Sequence, residues 1–330
     1  MRKRRALPRR LAFLLVTTTT LAFTAYPATA EDYPARPVKI VVPFGAGGPT
    51  DVYARAIAEE LRKSLHQSFV MENRPGAGTT IGTEMVAKAA PDGYTLLMVS
   101  GTQTVNETLF VRKQYQLMRD LVPVAPLIES DMVLVVHPSV PAKNLAEFLA
   151  LARARPGTIN YGSSGPGSNY HMASELMKNL TGIDIVHVPY KGSTGARNDI
   201  LGGQIQMLFD SIPTMAPMIK AGLVRALGTS GKTRSPILPD VPTIAEAGVP
   251  GFYARQWVGI MAPAGTRKPI VELLNQETTK ILSRPDIMAA WEKQGATPVV
   301  MTTGEFDSFM RSEIAKWANI IKANHIPVIN

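Results

Sequence analysis

The chain has 330 residues, no cysteine, 18% charged residues and a formal net charge of +9. Of its 35 Lys and Arg, six precede residue 31 and no acid does, so the remainder carries 29 bases against 26 acids, +3, too little to mark a nucleic-acid partner. Without cysteine it has neither disulfides nor a cysteine-borne lipid, so packing alone must hold the fold.

Met1-Arg2-Lys3-Arg4-Arg5 is followed by the apolar stretch Leu11 to Tyr26 and by Ala28-Thr29-Ala30, the layout of a secretory signal cleaved after about Ala30. The expected location is the periplasm. Arg9-Arg10 resembles a twin-arginine signal, but Phe13 comes one place late for it. Cleavage leaves 300 of the 330 residues, the upper limit of one core, and predicts two lobes.

Strand and helix patterns then alternate, which predicts α/β architecture with mostly parallel sheets. Val38 to Val42 is a β-branched strand, and Gly45-Ala46-Gly47-Gly48 is a glycine turn. An amphipathic helix follows, with Val52, Ala56, Ile57, Leu61 and Leu65 as its apolar side. Phe69 to Asn73 reads as a second strand, residues 74–80 as a second glycine turn, Ile81 to Ala90 as a helix and Tyr94 to Val99 as a third strand. Ser100 to Asn106, small and polar, reads as a hinge. Met132 to Val136 is a strand, Asn144 to Ala154 a helix, and Thr158 to Gly162 a strand entering the turn Ser163 to Asn169. The helix after it carries Met172, Leu176, Met177 and Leu180 on one face. Strands are expected at Ile183 to Val188, Ile205 to Phe209, Val224 to Thr229 and Trp257 to Ala262, and helices at 195–201, 270–282, 285–294 and 303–324. Residues 235–250 read as a proline-rich surface connection.

A strand, a glycine turn and a helix start together make an anion cradle, because backbone N–H groups converge where the helix dipole is positive. A nucleotide P-loop would need a lysine in the first turn, and a dinucleotide fingerprint would need glycine at Thr50. A carboxylate needs neither. Enzyme signatures fail similarly: the fifth residue from Gly162 is Pro166, which breaks Gly-x-Ser-x-Gly. His171 and His187 are sixteen residues apart with no cysteine to help, so no metal site is expected and both read as structural. Trp257 reads as core. No enzyme activity and no cofactor are expected.

Several motifs together resemble the Bug-type solute receptors of tripartite tricarboxylate transporters. They are Tyr33 to Pro37, Val41 to Asp51, Glu72 to Gly78, Ala87 to Leu97, His187 to Gly192 and Ala262 to Thr266. The resemblance implies a two-lobed periplasmic binding protein of type II-like build, each lobe a mostly parallel sheet flanked by helices, with the ligand cleft between them. It implies a small carboxylated ligand held by backbone N–H groups and bridging waters, and a membrane permease as partner for a monomeric receptor. The lobes are expected as 31–102 with 228–330, and 103–227. Signalling to a two-component sensor is the alternative role. Gly45, Thr79-Thr80 and Asn169-Tyr170 depart from the family pattern, the last bringing Tyr170 toward the cleft.

The expected ligand residues in the first lobe are Phe44, Gly47, Gly48, Thr50 and Asp51, with Gly78 and Thr79 nearby. Asp51 is a helix cap or a partner for a ligand ammonium. In the second lobe they are Ser163, Ser164, Gly167, Ser168 and Asn169, with Tyr190 and Asp210 at strand ends. Asp210 would hold an amine or order a water. Acidic amino acids, di- and tricarboxylates and aromatic acids all fit this reading.

Overall fold

A computed structural model describes residues 33–330 apart from Lys191. The export signal lies outside the described residues. In chain order the elements are β1 (Val38–Val42), α1 (Pro49–Leu65), β2 (Phe69–Asn73), a single 3-10 turn (Ala77–Thr79), α2 (Thr80–Ala87), β3 (Thr95–Ser100), α3 (Gly101–Leu109) and α4 (Leu117–Asp120). Next come β4 (Leu121–Val136), α5 (Leu145–Ala154), β5 (Asn160–Ser163), α6 (Asn169–Thr181), β6 (Val186–Pro189), α7 (Ser193–Leu201), β7 (Met207–Ser211) and α8 (Ile212–Lys220). The remainder is β8 (Arg225–Thr229), β9 (Arg255–Pro263), α9 (Lys268–Leu282), α10 (Pro285–Glu292), β10 (Ala296–Pro298) and α11 (Thr303–Ala323).

Strand order runs β2-β1-β3-β9-β4-β7-β5-β6, with β8 and β10 also pairing β4. The sheet has two halves that share β4. In the first, β2, β1 and β3 are parallel, and β9 and β4 close it antiparallel. In the second, β6, β5 and β7 are parallel, β4 is antiparallel to β7, and β8 pairs β4 antiparallel. The first part of β4, Leu121 to Asp131, pairs β9, and Met132 to Val136 pairs β7 and β8. Each half is covered by helices on both faces, as parallel strands buried on both sides require. Ile40, Ile57, Leu96 and Leu274 form one core of the first half. Tyr161, Met172, Phe209 and Phe148 form one of the second. Helix α11 joins both: Phe306 and Met310 pack with Trp257, and Trp317, Ile320 and Ile321 pack with the core of the second half.

Four expectations differ from the fold. Ser100 to Asn106 is helix rather than hinge, because Ser100 and Gln103 form a capping box that starts α3. Only Met132 to Val136 of β4 was legible, because Pro123, Pro126, Glu129 and Asp131 break the apolar pattern. The two prolines coincide with register shifts, and the two acids are ion-paired to Arg255 across the strand pair, at 2.5 and 2.6 Å. Val52 and Leu180, placed on apolar faces, are exposed, while Tyr53 and Ala54 are buried instead. Residues 235–250 are irregular as expected but bury Leu238, Ile244 and Val249.

Gly259 of β9 lies under Phe306: a Cβ there would meet the Phe306 ring at 2.5 Å and the Ala125 carbonyl at 2.9 Å. Gly304 in the first turn of α11 has open space around it. Gly259→Ala is therefore expected to cost about 1–3 kcal/mol by overpacking, and Gly304→Ala to add up to about 1 kcal/mol. Urea denaturation midpoints check both signs.

Candidate functional site

The first turn is fixed by one carboxylate. Asp51, in the first turn of α1, accepts hydrogen bonds from the Gly47 N–H, Arg55 Nε and Asn73 Nδ2, each at 2.9 Å. Asn73 Nδ2 also reaches the Phe44 carbonyl at 3.1 Å, which ties the end of β2 to the loop. Burial pushes the Asp51 carboxyl up, but the bonds from Arg55, Gly47 and Asn73 outweigh it and hold the pKa below its ordinary value. Asp51 is thus the anchor of the turn, and the Gly47 N–H is already taken. Gly47 has φ +77°, the left-handed region that favours glycine. The N–H groups of Gly48, Thr50 and Asp51 have no protein acceptor among the described residues. Pro49, between them, has no N–H to satisfy.

The second turn rests on α3. A Cβ on Gly78, whose φ is +60°, would lie 2.6 Å from the Phe110 ring. Asn106 Nδ2 donates to the Gly78 carbonyl at 2.6 Å and to Thr79 Oγ1 at 3.1 Å. Thr79 is buried and also adopts positive φ, +83°. A β-branched residue there is strained, and the bond from Asn106 helps to hold it.

The third turn, between β5 and α6, is held from beneath. Ser163 is fully buried; its hydroxyl lies 2.6 Å from His187 Nε2 and accepts the Gly165 N–H at 3.1 Å. The Gly167 N–H donates to His171 Nδ1 at 3.1 Å, so that nitrogen is unprotonated. Ser168 caps α6 by accepting the His171 N–H. Tyr161, His187 and His171 stack, the two imidazoles 4.0 Å apart. Below them Glu175, 2% exposed, accepts from Tyr161 Oη, Lys178 Nζ and Asn324 Nδ2. Ser163, Gly167 and Ser168 are therefore framework first. Ser164 is half-buried, and the Asn169 and Tyr170 N–H groups, at the start of α6, have no intrahelical partner.

Tyr190 donates its hydroxyl proton to Asp199 Oδ2 at 2.5 Å. Asp210, 1% exposed, receives Arg197 Nε at 2.7 Å and the Ser211 N–H at 2.7 Å. Burial pushes the Asp210 carboxyl up against the pull of Arg197. Tyr170 is buried facing Asp210 and Gln256 rather than projecting freely into a cleft.

Helix α3 brings these parts together. Gly78 and Thr79 lie on Asn106 and Phe110, and a Cβ on Gly167 would meet Leu109, Val105 and Asn106 within 3.5 Å. At the other end, a Cβ on Gly101 would lie 2.7 Å from Asn169 Oδ1 and 3.3 Å from Trp257 Nε1. The first turn adjoins the second, since Gly82 packs against Pro43 and the Arg74 N–H donates to the Val42 carbonyl. Gln103, Asn106, Glu175 and Arg197 were not singled out from sequence. The Ser100-x-x-Gln103 spacing was the one available signal. A depression of about 360 Å³ bordered by Pro138, Ile219, Gly222 and Val241 lies apart from all three turns. Its Arg225 is tied to the Val140 and Ala142 carbonyls.

Burial holds His171 near pKa 4 and His187 near pKa 3, so both are neutral at pH 7. The unfolded chain, with imidazoles near pKa 6.5, binds more protons below that pH, so stability falls as pH drops. The expected loss between pH 6.5 and 4.5 is roughly 2–4 kcal/mol for the pair. Urea unfolding at the two pH values checks it, and a flat profile refutes the neutral stack.

A sequence model described as the tripartite tricarboxylate transporter family receptor matches residues 53–326. The protein BugT of Bordetella pertussis is 40% identical over 300 residues, covering 90% of this chain and 92% of that one. Among solved structures, Rpa4515 of R. palustris with adipate is 35% identical with a TM-score of 0.82, covering 90% of this chain and 100% of that one. MatC from Rhodopseudomonas palustris with bound malate is 34% identical with a TM-score of 0.78, covering 88% and 100%. The fold is that of the two-lobed periplasmic binding proteins. Two glycine turns packed on one buried helix, with the first beside the second, within a mixed sheet shared by two halves, accompany this likeness, and the chain belongs to the tripartite tricarboxylate transporter receptor family.

Proposed function

We propose that the protein captures a small carboxylate-bearing solute in the periplasm and delivers it to a membrane permease of the tripartite tricarboxylate transporter type. The observation that carries this reading is the pair of helix starts, α1 and α6, whose leading N–H groups have no acceptor among the described residues while their turns are pinned by side chains behind them. The bound adipate and malate of two relatives support a carboxylate. A helix start contributes about 0.3–1 kcal/mol toward an anion, up to roughly 2 when partly buried. A hydrogen bond to a charged group contributes about 1.5–3 kcal/mol. Two helix starts and four or five such bonds reach the roughly −8 kcal/mol of micromolar binding after association costs. No guanidinium is needed.

In this reading the ligand meets Phe44, Gly48, Thr50 and the Asp51 N–H on one side, and Ser164, Asn169 and the Tyr170 N–H on the other. Gly78 and Thr79 border the first group. Gly47, Ser163, Gly167, Ser168, Tyr190 and Asp210 shape the site from behind. Domain closure follows because one ligand joins both helix starts only when the lobes, 31–102 with 228–330 and 103–227, approach. The chemistry is binding and release, with no turnover.

Gly48→Asp tests the placement. A Cβ at Gly48 meets only the Gly45 carbonyl at 3.5 Å, and aspartate is a favoured residue at the N-cap of α1, where its carboxylate would compete with an anion. Titration calorimetry with adipate and malate is expected to show at least about tenfold weaker binding, a loss of 1.4 kcal/mol or more. Unchanged affinity removes α1 from the site. Deleting the gene is expected to abolish uptake of the solute. Uptake that persists while solute-induced transcription disappears points to a sensor partner instead.

A further inference from the structure

We propose that Arg255 is a positioning residue for solute capture: by holding Glu129 and Asp131 at the seam where β4 passes from one half of the sheet to the other, it fixes the separation of the α1 and α6 helix starts. This rests on the receptor reading above and refines where its two lobes join.

Strand pairing draws the seam. β4 pairs β9 as far as Asp131, whose register partner is Arg255, and from Met132 onward it pairs β7 and β8. The return crossing lies beside it. Val249, Phe252 and Ala254 belong to a core of the second half, whereas Trp257 and Val258 pack in cores of the first. Helix α11 passes the same level, between Met310, which packs with Trp257, and Trp317, which packs in the second half. Lys316 on that stretch donates from Nζ to the Tyr253 carbonyl at 3.4 Å. β4, the return crossing and α11 therefore meet around residues 253–255.

The two sides of the seam are held by different means. On the side of the second half, Ser230 is fully buried and does the work. Its hydroxyl accepts the Met132 N–H at 2.8 Å, its N–H donates to the Met132 carbonyl at 2.9 Å, and its carbonyl accepts the Ala254 N–H at 3.3 Å. On the side of the first half the tie is ionic. Glu129 and Asp131 are two residues apart and share a face of β4. Arg255 spans them, with Nε on Asp131 at 2.6 Å and Nη1 on Glu129 at 2.5 Å. These side chains are only 17–20% exposed, so salt and water screen the cluster weakly. The terminal pair of a ladder is where strands fray, and here a guanidinium fork locks it. A Cβ on Gly231 would overlap the Asp131 carboxylate, so the chain leaving β8 also lies close against the cluster. Helix α1 packs on the first half and α6 on the second. Play at the seam thus becomes play between the two helix starts, and a ligand that joins both pays for ordering them.

The chain has no cysteine, so two introduced cysteines can be spin-labelled alone. Val70→Cys on β2 and Val186→Cys on β6 replace exposed residues at opposite ends of the strand order. Pulsed dipolar spectroscopy without ligand is expected to give a narrow distance distribution, and one at least twofold broader once Arg255→Gln is added. Titration calorimetry of Arg255→Gln with adipate and malate is expected to show at least fivefold weaker binding of the better acid. Arg255→Lys, which keeps the charge but not the fork, is expected to fall between. Arg255→Gln leaves two acids without their partner. The triple variant Glu129→Gln, Asp131→Asn, Arg255→Gln removes the cluster without that charge, and it is expected to show the same broadening and the same loss should the single variant fail to fold. An unbroadened distribution in the folded variant overturns the proposal, whether or not binding weakens, and so does a broadened one with native affinity. If the chain with Arg255 in place binds neither adipate nor malate, the receptor reading falls instead, and the ligand-free widths still decide whether Arg255 holds the seam.

Discussion

A helix cannot satisfy its own first N–H groups, and the starts of α1 and α6 answer that constraint in the same way. Each has a glycine turn in front and a side chain behind that takes one N–H of the turn: Asp51 for Gly47, His171 for Gly167. The remaining donors are left pointing outward with their geometry set in advance. Preorganised N–H groups give up little freedom when an anion arrives, and under the proposed function this is how a site without an available guanidinium would select a charged ligand. Under that proposal Asp51 is an acid beside an anion site, and its part is to anchor the turn. Its charge is cancelled locally by Arg55 and by two N–H donors, so it shapes the turn without repelling what the turn holds.

Beneath the turns lies a polar interior that an apolar core could not replace. Thr79, Ser100, Gln103, Asn106, Ser163, His171, Glu175 and Asp210 are all buried. Most of their polar atoms are paired, and the pairs join elements far apart in sequence. Asn106 reaches back to Gly78, and Asn324 reaches Glu175 from beyond α11. Burying such groups is favourable only when each finds its partner. The network therefore fixes one arrangement of the turns rather than a family of similar ones.

Much of this was legible in the sequence. The alternation of strands and helices, the bounds of β1, β2 and α5, and all three turns follow from periodicity and glycine spacing. The family motifs, read together, led to the receptor fold. What stayed hidden depends on partners distant in the chain. Helix α3 looked like a hinge because its residues are small and polar, and those residues suit a helix only when a second element lies against every face. The first part of β4 looked like a loop because Glu129 and Asp131 are strand residues only with Arg255 opposite. Asp51 and Asp210 were singled out from their places at a helix start and a strand end, but which hydrogen bonds they already make is a matter of three-dimensional company that spacing cannot supply.

The last residues of the chain add a practical point. The Ile329 N–H donates to the Leu109 carbonyl at 2.7 Å, and the Ile329 carbonyl accepts the Val111 N–H at 3.0 Å. Phe110, gripped between those two bonds, is the side chain on which Gly78 rests. Ile329 thus acts as a splint for a glycine turn some 250 positions upstream. An affinity tag fused there, or a trimming of the final few residues, would disturb the Gly78 turn without touching it.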